Sequence, residues 1–259
     1  MPSYAVLGAT GATGGNVLKL LVQNPQNKIN VYVRSKPKLL QQAPNIASNP
    51  NVKIFTGNLS DTAIIKSCLE GTDVVFSTVA SNDNMPDMHV AQDTAQSIVV
   101  ALMDIRMANP QARLPTIVWL SSASLNETYH KKGPAVLHWL LMTAFSNVYG
   151  DLAHAEKYLA LHKEWLKVVL VQPGGLVEDK PHGHELNLEK PADFLSYTDL
   201  AAGMIEVAEK GGYLWQGVTL GVKAKGTRIE YAIPGRLVKG MTFHYFPFMW
   251  WVTKKLHLQ

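Results

Sequence analysis

The stretch Gly8-Ala9-Thr10-Gly11-Ala12-Thr13-Gly14 constrains this chain more than any other. Before it stands the apolar run Tyr4-Ala5-Val6-Leu7; after it come Val17, Leu18, Leu21 and Val22, spaced as on one helix face. A short apolar run closed by glycine fits a strand buried on both faces. Glycines at every third position let the main chain turn tightly and come close to a pyrophosphate. The free N–H groups at the start of the next helix, near Thr13 to Asn16, are placed to receive its oxygens, with the hydroxyls of Thr10 and Thr13 as further donors. Gly8, Thr10, Gly11, Ala12, Thr13 and Gly14 are therefore the expected phosphate cradle. A purely structural turn is the bland alternative, and the strand–turn–helix context weighs against it.

The same alternation continues along the chain. Further strands are expected at 29–33, 52–56, 74–79, 116–120 and 168–171, and helices after Ser60-Asp61, at about 92–107 and at 198–209. Ser196 and Asp199 are spaced as a capping pair, and Gly211-Gly212 closes that last helix. Strands alternating with helices imply an α/β fold: a Rossmann-type doubly wound parallel sheet with crossover helices on both faces. We expect one domain over residues 1–259, with 177–259 contributing a substrate-side region. Three stretches interrupt the alternation. Residues 82–90 and 122–132 are expected as polar loops after the fourth and fifth strands, and 133–165 is long enough for two helices. In open α/β sheets ligands sit outside the carboxyl ends of strands, where these insertions hang.

Composition removes other classes. The single cysteine, Cys68, excludes an intrachain disulfide and a cysteine-cluster zinc site, and its helical apolar surroundings read as core. No apolar run is long enough for a transmembrane helix, and no secretory leader is visible, so a reducing, cytoplasmic setting is expected. A net charge of +4 without a Lys/Arg-dense stripe argues against nucleic acid. His182-Gly183-His184 lacks further ligands at metal spacing and reads as a mobile polar loop; no metal is expected. No Gly-x-Ser-x-Gly elbow is present.

The end of the second strand discriminates between dinucleotides. An acid there accepts from a ribose 2′-hydroxyl. This chain instead has Arg34-Ser35-Lys36, with Lys38 close by. A guanidinium binds a 2′-phosphate bidentately, so NADP(H) is the expected cofactor, held there by Arg34 and Ser35.

With these pieces in view, the chain resembles the short-chain dehydrogenase/reductase superfamily in its atypical, NmrA-like branch. The resemblance is carried by Gly8 to Gly14, Val31-Tyr32-Val33-Arg34, Gly57-Asn58-Leu59-Ser60-Asp61 and Val75-Phe76-Ser77-Thr78-Val79. It continues through Leu120-Ser121-Ser122, Ala155-Glu156-Lys157-Tyr158-Leu159, Gln172-Pro173-Gly174-Gly175-Leu176 and Ser196-Tyr197-Thr198-Asp199-Leu200-Ala201. More narrowly it looks like the fungal averufin oxidase A-like oxidoreductases of aromatic polyketide pathways. The resemblance implies Asn58 and Leu59 by the adenine, Val79 and Ala80 along the ribose, and Pro173 and Gly174, on to Leu176, by the nicotinamide.

Common members of the superfamily use a Tyr-x-x-x-Lys pair on a helix after the fifth strand, the lysine lowering the tyrosine pKa. Here Tyr149 is followed four later by Ala153, Tyr158 by His162 and Tyr129 by Gly133. The candidate polar catalytic residues are Ser122, Tyr149 and His154. The last two are five apart, about 140° around a helix, so one of them is expected to face the cofactor. Lys157 reads as a surface residue. The expected activity is NADP(H)-dependent oxidation or reduction of a hydrophobic, polycyclic aromatic carbonyl or phenol in secondary metabolism. The missing pair keeps open a non-enzymatic NADP-sensing regulator, and the fold an isomerase, cyclase or dehydratase. The aromatic tail 243–252, followed by Lys254-Lys255, reads as docked on the core; an aromatic substrate, a homo-oligomer contact or a membrane interface are its functional versions.

Overall fold

The computed structural model describes residues 1–81, 83–130, 134–223 and 233–256. Asn82, Lys131, Lys132 and Gly133, which border the expected insertions, lie outside the described residues, as do parts of 177–259.

Strand β1 (Ser3–Leu7) leads through the glycine turn into α1 (Ala12–Leu21), then β2 (Lys28–Val33), α2 (Lys36–Gln42), a 3-10 turn, β3 (Val52–Thr56), α3 (Thr62–Leu69) and β4 (Val74–Ser77). Next come α4 (Val90–Ala108), β5 (Thr116–Leu120), a 3-10 turn at Ala123–Leu125, α5 (Glu127–His130), α6 (Ala135–Ala144), α7 (Ser146–Ala160) and β6 (Lys167–Val171). The remainder is β7 (Gly175–Val177), β8 (His184–Asn187), β9 (Phe194–Ser196), α8 (Tyr197–Lys210), β10 (Gly217–Val222), α9 (Ile233–Tyr245) and α10 (Phe248–Lys255).

Eight strands form one sheet in the order β3-β2-β1-β4-β5-β6-β10-β8. All its pairings are parallel except the last, β10 with β8. The order reverses between β1 and β4, and that reversal leaves a crevice at their carboxyl ends. This is the Rossmann-type doubly wound α/β fold. β7 and β9 pair separately.

Alternating side chains send each strand's residues to opposite faces. Tyr4 and Val6 of β1 join Val17, Leu18 and Leu21 of α1 and Leu200, Met204 and Val207 of α8. Ala5 and Leu7 join Ile65 of α3, Ile98 and Leu102 of α4, and Leu152 and Leu159 of α7. The sheet is thus a middle layer, and each fully buried Leu or Ile contributes about 1.5–3 kcal/mol.

Three expectations need correction. The fourth strand stops at Ser77 rather than continuing to 79. Thr78 there turns its hydroxyl back to donate to the Leu7 carbonyl at 2.8 Å. Residues 122–132 are not a plain loop, since a 3-10 turn and α5 occupy their described part. The His182-Gly183-His184 stretch is not a mobile loop: His184 opens β8 and lies 2.6 Å from Glu206, and His182 lies 3.0 Å from Asp179. The Asp199 carboxylate, at the start of α8, accepts from Ser196 Oγ and from the His182 and Gly183 N–H groups, pinning that stretch to the helix cap.

Candidate active site

The glycine turn is held from two sides. Gly11 N–H donates to the Gly8 carbonyl at 2.9 Å, and Gly8 adopts φ +91°, a conformation that side chains disfavour. A Cβ on Gly14 would lie 2.3 Å from Gly8 O and 2.5 Å from Thr78 Oγ1. Bare main chain is therefore a packing requirement at Gly14. Gly11 caps α1 without any side-chain hydrogen bond to the helix, so the first N–H groups, at Ala12, Thr13 and Gly14, have no side-chain cap. Uncapped N–H groups on a helix N-terminus that carries no acid in its first turn match a diphosphate. Thr10 is half-buried beside them and Thr13 is buried.

Arg34 is exposed at the carboxyl end of β2, two residues past Tyr32, the partner of Leu7 in β1. Ser35 is the cap of α2 and accepts from Lys38 N–H at 3.3 Å. At the end of β3, Tyr32 Oη donates to the Asn58 carbonyl at 2.6 Å, and Asn58 N–H donates to Asp61 at 2.6 Å. The Leu59 carbonyl accepts from Ser97 Oγ. Burial, with Asp61 and Cys68 adding to it, pushes the Tyr32 phenol up to about 12, so it remains a donor at neutral pH. Val79 is half-buried and Ala80 exposed just past β4. Past β6, the Pro173 carbonyl accepts from Ala123 N–H at 2.9 Å, and Gly174 packs against Ala192.

Beyond β5, Ser122 Oγ accepts from Ser124 N–H at 3.2 Å, and Ser124 Oγ donates to Tyr149 Oη at 3.3 Å. Ser122, Ser124 and Tyr149 thus cluster beyond the carboxyl end of β5, with Ser124 bonded to Ser122 through its backbone N–H and to Tyr149 through its hydroxyl. His154 is exposed elsewhere on α7 and stands apart from this cluster; Lys157 is exposed as well. The chain's one Tyr-x-x-x-Lys spacing, Tyr32 to Lys36, joins the end of β2 to the start of α2, so the two do not face each other along a helix.

Two acids on α7 were not singled out from the sequence. The buried Asp151 carboxylate accepts from Ala91 N–H at 2.8 Å and Gln92 N–H at 3.0 Å. It caps α4, whose own N-cap residue His89 gives no side-chain cap. Glu156 stands seven residues after Tyr149 and shares its helix face. Burial raises its pKa, against the lowering effect of the Ser121 and Gln172 side chains. Its Oε1 and the Ser121 Oγ are buried, and neither meets hydrogen-bond geometry with a partner among the described residues. Gln172 is engaged in turn, its Oε1 accepting from Asn126 Nδ2 at 2.8 Å. Spacing along α7 relative to Tyr149 was the only sequence signal for Glu156.

Fold and site together define a Rossmann-type dinucleotide-binding oxidoreductase. The model of the NAD(P)H-binding family matches residues 8–210. The chain is 44% identical over 248 residues to the oxidoreductase ordB of Dothistroma septosporum, covering 95% of this chain and 93% of that protein. It is 41% identical over 253 residues to the oxidoreductase stcQ of Emericella nidulans, covering 95% and 92%. Its fold is similar to a short-chain dehydrogenase/reductase from Veillonella parvula solved in complex with NADP, with TM-score 0.66 and 18% identity over 86% of this chain and 95% of that one. The chain belongs to the NAD(P)H-binding family, among fungal oxidoreductases of this atypical short-chain type.

Proposed function

We propose that the chain is an NADP(H)-dependent oxidoreductase acting on a hydrophobic aromatic, polyketide-type carbonyl or phenol in secondary metabolism. The observation that carries the choice of cofactor is Arg34: an exposed guanidinium stands at the end of β2, where an acid would serve a 2′-hydroxyl. When bound, the dinucleotide supplies the hydride chemistry. The chain's own parts bind and orient. Gly8 to Gly14 hold the diphosphate, Arg34 and Ser35 the 2′-phosphate, Asn58 and Leu59 the adenine side, and Val79, Ala80, Pro173 and Gly174 the nicotinamide half.

Proton handling falls to Tyr149, whose Oη would exchange a proton with the substrate oxygen, while Ser122 would hydrogen-bond that oxygen and orient it. His154, in contact with neither, is the reserve candidate. For the substrate, a cavity of about 450 Å³ opens beside the first turn of α7, lined by Asn147, Phe243, His244, Phe248 and Trp251 among others. Its size lies within the range for small-molecule sites, and its rings suit a flat aromatic ligand. The one cysteine, Cys68, is buried and its thiol pushed up to about 12 by burial, which suits a core residue rather than a nucleophile.

The test is Arg34→Ala. Titration calorimetry is expected to show NADPH affinity falling roughly 10- to 100-fold, the worth of a charge-assisted contact, and NADH affinity nearly unchanged. Equal losses for both would remove the preference for NADP(H).

A further inference from the structure

Residues 128–150 and 231–259 contain half of the chain's Phe, Tyr and Trp, six of its 24 Lys and Arg, and none of its 20 Asp and Glu. These two segments carry +6 on a chain whose total is +4, so the rest sums to −2. Folding brings their described helices together, because α6 lies against α9 and α9 against α10.

The exposed surface of these helices is largely apolar; of their cations Lys239 pairs with Asp83 at 3.0 Å, while Lys254 and Lys255 stand exposed on α10. In α6 only His138 and Thr143 are polar, yet only Thr143 and Ala144 are buried. A helix apolar on all sides belongs in a protein interior or against hydrocarbon. Trp139 is 54% exposed and Trp251 57%, with Val136, Phe246, Phe248 and Leu256 also standing out. Phe243 and Trp250, by contrast, are buried edge to face at 5.5 Å and fix α9 to α10. Lys254 Nζ lies 5.7 Å over the Trp251 ring, and Lys255 is exposed next to it.

Charge selects the occupant. A two-fold dimer through this face would set the patch against its own copy, positive against positive. An anionic occupant is complementary. Protruding tryptophan and phenylalanine beside lysine, on helices too short or too polar to cross a bilayer, is the chemistry of the headgroup layer. We propose that α6, α9 and α10 form a peripheral docking face for an anionic lipid bilayer. Trp139 and Trp251 enter at headgroup depth, and Lys254 and Lys255 meet acidic headgroups. Phe248 and Trp251 also line the cavity described above, so on the substrate reading given there, an apolar ligand passes from lipid to cavity without crossing water. The docking face itself does not depend on that reading.

The full chain is sedimented with vesicles of phosphatidylcholine alone, and of phosphatidylcholine mixed with phosphatidylserine. The expected result is cosedimentation with the mixed vesicles, about tenfold weaker partitioning into the neutral ones, and weakening by salt. Lys254→Gln with Lys255→Gln lowers partitioning into mixed vesicles on the order of tenfold. Leu137→Ser with Trp139→Ser lowers it into both, and brominated lipid quenches tryptophan emission. An unchanged unfolding midpoint certifies that each variant is folded. No cosedimentation overturns the proposal and leaves the face to an acidic protein partner. Equal binding to both vesicles, indifferent to the lysine pair, overturns it too, as does a dimer that shields the same tryptophans.

Discussion

At the crevice between β1 and β4, main chain presses on main chain: Gly8 and Gly14 lie against Thr78, and the start of α1 offers a row of N–H groups without a side-chain cap. Beyond β5 and β6 the surface is instead made by side chains, carried on helices inserted between strands. The first region is specified by what is missing, a Cβ at two positions. The second is specified by which hydroxyls, acids and rings project, and it can be rewritten residue by residue while the sheet stays intact. The difference teaches where each kind of chemistry belongs on the proposed reading: cofactor handling in the backbone, proton handling and substrate choice in the inserts.

That contrast can be broken most forcefully at Gly14. Gly14→Val puts carbon into the Gly8 carbonyl and the Thr78 hydroxyl. Dinucleotide affinity is expected to fall on the order of 100-fold and stability by about 1–3 kcal/mol, read by calorimetry and urea unfolding. Wild-type affinity in this variant would mean that the crevice is not built from bare main chain. On the other side, Tyr149→Phe keeps the ring and removes only the hydroxyl. Its expected outcome is a kcat lower by on the order of 100-fold, with dinucleotide affinity nearly unchanged. An unaltered kcat moves proton handling to Ser122 or His154.

The smallest effect is expected at Glu156. Its folded-state pKa is raised by burial, so the folded chain binds this proton more tightly than the unfolded chain does. The wild type accordingly loses stability as pH climbs from the ordinary glutamate value through the folded one, and stays lower above it. Glutamine is neutral throughout. Glu156→Gln is therefore expected to gain on the wild type at mildly alkaline pH and to lose that advantage in acid. Parallel stability curves would show that the carboxyl pays no burial cost there.

Sequence periodicity reached the central strands because they are runs of apolar residues with no competing reading. β3 and β5 stand where the pattern puts them, and Ser196 and Asp199 cap α8 reciprocally, at 3.0 and 2.8 Å. The later strands escaped for physical reasons. β8 is polar because it lies at a sheet edge, and β10 begins with glycine and carries another within it. Within the candidate site, the glycine turn between β1 and α1 and the place of Arg34 at the end of β2 are local features and were legible. Thr78 was not, because an apolar run masks the point at which a strand stops and turns. Asp151 and Glu156 were not, because an acid on a helix looks the same whether it faces water or the end of a neighbouring element. Only packing of α7 against α4 and the sheet distinguishes them.

Asp151 has one more consequence. By gripping the first N–H groups of α4, it ties the start of that helix to α7, the helix that bears Tyr149. The start of α4 and the middle of α7 are therefore fastened by a buried carboxylate as well as by their shared apolar core.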